Sequence, residues 1–420
     1  GEWKTVDWQT ALEYVANGLR NIQRDHGANS IGALVSPHST VEELYLAGAL
    51  VRGLGSDNID YRLRNAEFGA AEGVRTLGTS IASLSTLQRV LVVGSNLRKD
   101  HPLFALRVRH AVRHGAQLNV ITSQADFAHA DAWAMPVAQA VLADAAAWAQ
   151  ALADVAAAIA AEKGVTAPAA GNVTAQAQAI AKSLLGGERK AVLLGNAAAH
   201  HANASSLLAL ANWIADQTGA SVGYLTEAAN TVGAQWVGAQ PQTGGKNAGQ
   251  MLAGGLKAAI LLNTEPEFDS AAGAAAAQSL GQAEMVVTLS PFKANMAFSD
   301  VLLPIAPFTE TSGSFVNAEG RLQSFHAVVK PLAETRPAWK VLRVLANLLE
   351  IPGVAFETSQ DVLARATAKP LAASNAVLAE IRLAGPVSAP AVASIYQLDS
   401  IVRRAPSLQL TADARQEVTA

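Results

Sequence analysis

Residues 299–330, SDVLLPIAPFTETSGSFVNAEGRLQSFHAVVK, decide how the rest of the chain is read. A short apolar run, 301–305, is interrupted by Pro304. Proline has no N–H to give to a ladder, so the strand ends there or lies at a sheet edge. A hydroxyl-dense turn follows, Thr309-Glu310-Thr311-Ser312-Gly313-Ser314, and then a second polar element, Asn317-Ala318-Glu319-Gly320-Arg321. A strand end that feeds a polar loop is where open α/β sheets put ligands.

Working outward, buried apolar runs occur at 31–35, 90–93, 118–121, 191–194, 224–225, 258–262, 285–289 and 301–303. Helical periodicity fills the gaps, as in Trp8, Leu12, Val15, Leu19 and Ile22 behind an Asp7 N-cap and ahead of Gly27. Strands alternating with helices predict an α/β protein with parallel, doubly wound sheets. Ser39-Thr40-Val41-Glu42-Glu43 offers two overlapping capping boxes. The joint Ser36-Pro37-His38-Ser39 before it reads as plain capping or as a phosphate seat on free N–H groups. Residues 143–161 form an alanine-rich helix with Trp148, Leu152, Val155 and Ile159 on one face. The stretch 166–172 is a linker by composition, close to a domain boundary.

At 420 residues the chain has room for two or three domains. A net charge of -3 with no basic stripe gives no reason to expect a nucleic-acid partner. No apolar run approaches the roughly 18 residues of a membrane span, so no direct membrane insertion is expected. There is no cysteine, which excludes disulfides, thiolate-bound zinc and iron–sulfur clusters held by this chain. G-x-S-x-G, H-E-x-x-H and a strand-borne G-x-G-x-x-G are all absent. The trio Asp126, His129 and Asp131 matches no zinc or calcium spacing, and adjacent His200 and His201 point apart on any regular element.

Ser299-Asp300-Val301-Leu302-Leu303-Pro304, the turn, and Phe315-Val316-Asn317-Ala318-Glu319-Gly320-Arg321-Leu322-Gln323 together resemble the molybdopterin oxidoreductase superfamily. Pro337, Trp339 and Leu345-Ala346 fit the same pattern. Within it, Phe308-Thr309-Glu310-Thr311-Ser312-Gly313-Ser314-Phe315-Val316-Asn317 is similar to the large iron–sulfur subunit of bacterial NADH–quinone oxidoreductase (respiratory complex I). The loop 226–249, with Asn230, Gly233, Gly238 and Pro241, resembles the superfamily's loop near the pterin.

This resemblance implies two Rossmann-like domains, one inserted in the other. Residues 1–55 plus 165–330 would form the first and 56–150 the insert, with 151–164 connecting and 331–420 a helical tail. It implies partners among the peripheral-arm subunits of complex I, on the cytoplasmic side of the inner membrane. Iron–sulfur clusters are then expected in a region N-terminal to this chain, which would be a fragment with no cofactor of its own.

Active members of the superfamily place a metal ligand, usually Cys, selenocysteine or Ser, shortly after an N-[IV]-D-like turn. Here Asn58-Ile59-Asp60 leads into Tyr61-Arg62-Leu63-Arg64-Asn65-Ala66-Glu67, and no thiol or serine stands between Asp57 and Gly78. Only Asp60 or Glu67 could substitute, and Arg62 and Arg64 are expected to pair with them. The expectation is a non-catalytic scaffold without a metal site. Its pterin loop would be vestigial, with Thr309, Glu310, Thr311, Asn317, Glu319 and Arg321. The alternative is a formate-dehydrogenase-like fragment binding molybdopterin guanine dinucleotide, with Thr311, Asn317 and Glu319 on pterin or guanine. A generic nucleotide-binding module using 36–39 and 94–96 would need glycine spacing that neither loop has.

Overall fold

The computed structural model describes residues 2–69, 72–127, 133–383 and 388–417. Helix α1 (Trp8–His26) starts where the Asp7 carboxylate accepts the Thr10 N–H, and it buries the periodic stripe from Trp8 to Ile22. Strand β1 (Ile31–Val35) follows, then helix α2 (Val41–Gly53). Of the two overlapping capping boxes, Thr40 with Glu43 is the one that forms. The Glu43 carboxylate accepts the Thr40 N–H at 2.9 Å, and the Thr40 hydroxyl accepts the Glu43 N–H at 3.3 Å.

The remaining strands are β2 (Ile59–Asp60), β3 (Arg89–Val93), β4 (Gln117–Thr122), β5 (Gln139–Leu142), β6 (Lys190–Leu194), β7 (Ser221–Tyr224), β8 (Ala258–Leu262), β9 (Met285–Ser290), β10 (Val301–Pro304), β11 (Gly313–Val316) and β12 (Leu322–Phe325). The longer helices between and after them are α3 (Pro102–Arg113), α4 (Trp148–Lys163), α5 (Ala175–Leu185), α6 (Ala204–Thr218), α7 (Ala338–Leu348) and α8 (Ser359–Ala366). Two five-stranded sheets result, ordered β10-β9-β8-β1-β2 and β5-β4-β3-β6-β7, with every pairing parallel. β11 and β12 make a separate antiparallel hairpin. β1, β8 and β9 are buried along their whole length, as expected for parallel strands covered on both faces. Pro304 closes β10 at the sheet edge, where its missing N–H leaves no gap in the ladder.

In chain order the strands of the second sheet, β3 to β7, lie between β2 and β8 of the first. The first sheet draws on 31–60 and 258–304, and the second holds everything from 89 to 224. β6 and β7, expected with β1, pair beside β3 instead. The cause is the stretch 166–172, which folds back on α4 rather than leading away. The Asn172 N–H reaches the Asp154 carboxylate at 2.8 Å, and Gln150 Nε2 donates to the Ala170 carbonyl at 3.2 Å. α5 therefore lies against α4, and the chain re-enters the sheet it left.

Among the described residues, no helix is long and apolar enough to cross a membrane. Beyond α8 the chain is mostly irregular, with short helical turns at Ser400–Arg403, Pro406–Gln409 and Ala412–Glu417.

β7 is an edge strand covered by other backbone. The Tyr224 N–H donates to the Thr76 carbonyl at 2.9 Å, and Asn375 Nδ2 donates to the carbonyls of Thr76 and Val222. The approach is close enough to demand glycine: a Cβ on Gly223 would lie 1.8 Å from the Leu77 carbonyl oxygen. Gly223→Ala is expected to cost about 1–3 kcal/mol, read as a lower midpoint in urea denaturation. An unchanged midpoint would mean the covering segment does not press on β7.

Burial, with the neighbouring Glu42 adding to it, pushes the Glu43 carboxyl up to about 7. A carboxyl whose folded value exceeds its unfolded one keeps a proton that the unfolded chain has lost. Stability from this group is therefore full below about pH 4.5 and falls as pH rises towards 7. Glu43→Gln keeps the oxygen facing Thr40 and should flatten that decline in melting temperature across the same range. An identical slope in both proteins would rule Glu43 out as its source.

Candidate functional site

The C-terminal ends of β1, β2, β6 and β7 converge on one cavity of about 110 Å³. Pro37, Tyr61 and Arg62 face it from the first sheet, and Asn196, His200, Tyr224 and Glu227 from the second. A crevice outside the carboxyl ends of the strands is the ligand position of open α/β folds. Asn196 Oδ1 and Arg75 Nε are buried here without a hydrogen-bond partner, although Arg75 lies over the Tyr224 ring at 5.4 Å. Burial pushes the Tyr61 phenol up to about 12, so it stays neutral.

From the cavity wall inward the charges are paired in series. Glu227 receives His200 Nε2 at 3.2 Å and Arg64 Nη1, and Arg64 Nη2 reaches Asp269 at 3.5 Å. Burial alone would raise the Glu227 carboxyl; the His200 and Arg64 charges outweigh it and hold the group well below the usual carboxylate range. Arg62 pairs with Asp60 as the sequence suggests, at 2.8 Å and 3.0 Å. Arg64 does not take Glu67; it takes Glu227 and Asp269, and Glu67 accepts the N–H and hydroxyl of Ser205 instead.

The donor set does not fit a metal. Asp60 is fully buried and takes four N–H donors, three from Arg62 and one from Ala248, which fills its acceptor capacity. Glu67 is turned to Ser205, and the chain has no sulfur ligand of the thiolate type. His200 and His201 diverge, with His201 Nε2 on the Ala145 carbonyl. Among the described residues no group of three His, Asp or Glu is arranged to hold an ion. Asp126 binds Ser123 and Thr122; His129 and Asp131 lie outside the described residues.

The residues singled out in the pterin-like loop sit elsewhere. Thr309 and Glu310 anchor the backbone after β12, through Val328 N–H on the Thr309 carbonyl and Leu332 N–H on the Glu310 carboxylate. Thr311 is buried and donates to the Ser312 carbonyl. Asn317, Glu319 and Arg321 build the β11–β12 turn: Asn317 Oδ1 accepts from the Glu319 and Arg321 N–H groups, and Glu319 accepts the Ile81 N–H at 2.6 Å. None of the six lines the cavity. The hairpin is fastened to α2, where Glu42 accepts the N–H and hydroxyl of Ser314, and to Asn230, which accepts the Val316 N–H. At 36–39 the N–H groups of His38 and Ser39 turn back on Ser36, so the capping reading holds. Glu227, Arg75 and Asn196 escaped the sequence. Asn196 and Glu227 follow strand ends, which could have marked them; Arg75 lies in the long connection between β2 and β3, where no signal marks it.

Residues 1–348 match the molybdopterin oxidoreductase family. The alpha subunit of an NADPH-Fe(3+) oxidoreductase from Geobacter sulfurreducens is 27% identical over 408 residues, covering 82% of this chain and 48% of that protein. A provisionally named formate dehydrogenase of Staphylococcus aureus is 25% identical over 417 residues, covering 83% of this chain and 42% of that protein. The chain thus spans about half the length, or less, of these curated relatives. In fold it is similar to a chain of the formyltransferase/hydrolase complex from Methylorubrum extorquens, with a TM-score of 0.59 at 20% identity, covering 84% of this chain and 98% of that one. Acetylene hydratase from Pelobacter acetylenicus gives a TM-score of 0.50 at 14% identity, covering 87% and 62%.

Removing one partner of a buried pair costs about 3–5 kcal/mol where it leaves the other charge alone. Without Arg64, Glu227 keeps His200 and Asp269 keeps Arg403, so Arg64→Met is expected to destabilise by less, about 1–3 kcal/mol, and Arg64→Met with Glu227→Gln to recover part of the loss. Equilibrium urea denaturation of both variants measures it. A loss near zero for Arg64→Met would mean that water reaches the pair.

Proposed function

We propose that this chain, which belongs to the molybdopterin oxidoreductase family, is the two-sheet portion of a larger redox protein and serves there as scaffold. The redox setting is supported by the names of its relatives, an NADPH-Fe(3+) oxidoreductase subunit and a provisionally named formate dehydrogenase. The scaffold role is supported by one observation above all: at the position where the superfamily grips its metal, Asp60 is saturated by N–H donors. A ligand carboxylate needs a free lone pair, which Asp60 lacks here, and the chain has no cysteine to supply a thiolate. The finer assignment, to the large iron–sulfur subunit of NADH–quinone oxidoreductase in the peripheral arm of complex I, rests on the resemblance of 308–317. In that setting any electron carriers, iron–sulfur clusters included, reside outside this cysteine-free chain.

A second reading keeps the cavity as a cofactor seat, in the manner of a formate dehydrogenase, and the relatives' names favour it. The unpartnered Asn196 Oδ1 and Arg75 Nε would then be the first groups to meet a polar heterocycle.

Elemental analysis of the chain purified from cells supplied with molybdate and tungstate separates the two. The scaffold role predicts a metal content far below one atom per chain. Stoichiometric molybdenum or tungsten that survives gel filtration would establish the cofactor seat instead.

A further inference from the structure

The crevice between the two sheets is not empty on its first-sheet side. Residues 391–404 run across it, touching the loop after one strand end after another. The Ala391 carbonyl meets His200 Nδ1 at 2.8 Å, beyond the end of β6. Asp399 lies 3.6 Å from His38 Nδ1, beyond β1, and caps the turn Ser400–Arg403 by accepting the N–H groups of Ile401 and Val402. Leu398 closes an inner cavity together with His38, Arg64, Glu227 and Asp269. Arg403 donates to Asp269 at 2.7 Å, and Arg404 grips Glu265 with two bonds, 2.6 Å and 3.0 Å, all beyond β8. Both guanidiniums are also stacked, Arg403 over Phe268 at 5.2 Å and Arg404 over Phe292 at 4.6 Å.

We propose that residues 391–404 are a built-in occupant of this crevice, a peptide ligand supplied by the chain itself. Three observations carry it. Its cations meet carboxylates that are more than nine-tenths buried, since Arg403, Asp269 and Glu265 each expose only 8% of their side chains. Such carboxylates need a partner, and no other arginine or lysine is paired with Glu265 among the described residues. The segment also spans loops of both sheets, so it fastens the two units as it fills the gap. It follows that a ligand approaching Asp269, Glu265 or His38 has to lift this segment first, whereas the cavity at Arg75 and Asn196 stays open. The inference deepens the scaffold role and rests on it for the claim that the occupant is permanent.

Hydrogen exchange on the full chain, read by mass spectrometry over peptides covering 389–405, tests it. The amides of Ile401, Val402, Arg403 and Arg404 are expected to exchange slowly in the unmodified protein. Arg404→Glu, which sets a carboxylate against Glu265, should speed them by about tenfold or more. It should also expose His200 to acylation by diethylpyrocarbonate. The conservative Arg404→Lys, which keeps a cation facing Glu265, should keep most of the protection, and an unchanged urea midpoint in Arg404→Glu separates loss of the segment from loss of the fold. Exchange as fast as in a free peptide in the unmodified chain overturns the proposal, as does unchanged protection in an Arg404→Glu variant that stays folded. Stoichiometric molybdenum beside a segment that remains protected would instead remove the scaffold role and leave the occupant in place.

Discussion

A row of alternating acids and bases holds this molecule's centre: His200, Glu227, Arg64, Asp269, Arg403 and Glu265 with largely buried side chains, and the exposed Arg404 at its end. They come from the loops beyond β2, β6, β7 and β8, the last giving both Glu265 and Asp269, and from the late segment that crosses them. None of these charges tolerates burial alone, because an unpaired ion in a low-dielectric interior costs several kcal/mol. The row therefore works as a condition on assembly. The loops after β2, β6, β7 and β8 have to arrive together, and residues 397–404 have to arrive with them. The apolar clusters of the two sheets are separate, and the charges help set how the sheets meet.

The insertion topology follows from the same economy of backbone. The chain leaves the first sheet after β2, builds the whole of the second, and returns as β8 beside β1. Both crossings pass the strand C-termini, so the polar groups of the connecting loops collect at one level. Here it is filled by arginines on one side and left as a small polar cavity on the other.

Much of this was legible in the residues. Apolar runs marked the parallel strands other than β2 and β5, Asp7 and Thr40 marked helix starts, and Pro304 marked an edge. These signals are local, and local geometry decides them. The membership of β6 and β7 was not legible, since a buried parallel strand looks the same whichever sheet receives it. It turned on whether 166–172 leads away or folds back, a matter of the contacts with Asp154 and Gln150. The absence of a thiol near Asp60 was plain from the sequence, but the saturation of Asp60 by Arg62 and Ala248 was not. The hydroxyl-rich turn drew attention to 309–321, which closes a hairpin, while the cavity took its lining from isolated residues such as Glu227 that no motif announces.

The edges of the two sheets bear on how the chain can join others. Unpaired strand edges recruit foreign strands, which is the common route to aggregation and to β-augmentation. β10 ends in proline, β2 is two residues long, and β7 is overlaid by the backbone around Thr76 and by Asn375. Three of the four margins are thus closed to strand addition. A neighbour that docks there has to be recognised through side chains and surface shape, and a misfolded copy finds little ladder to extend.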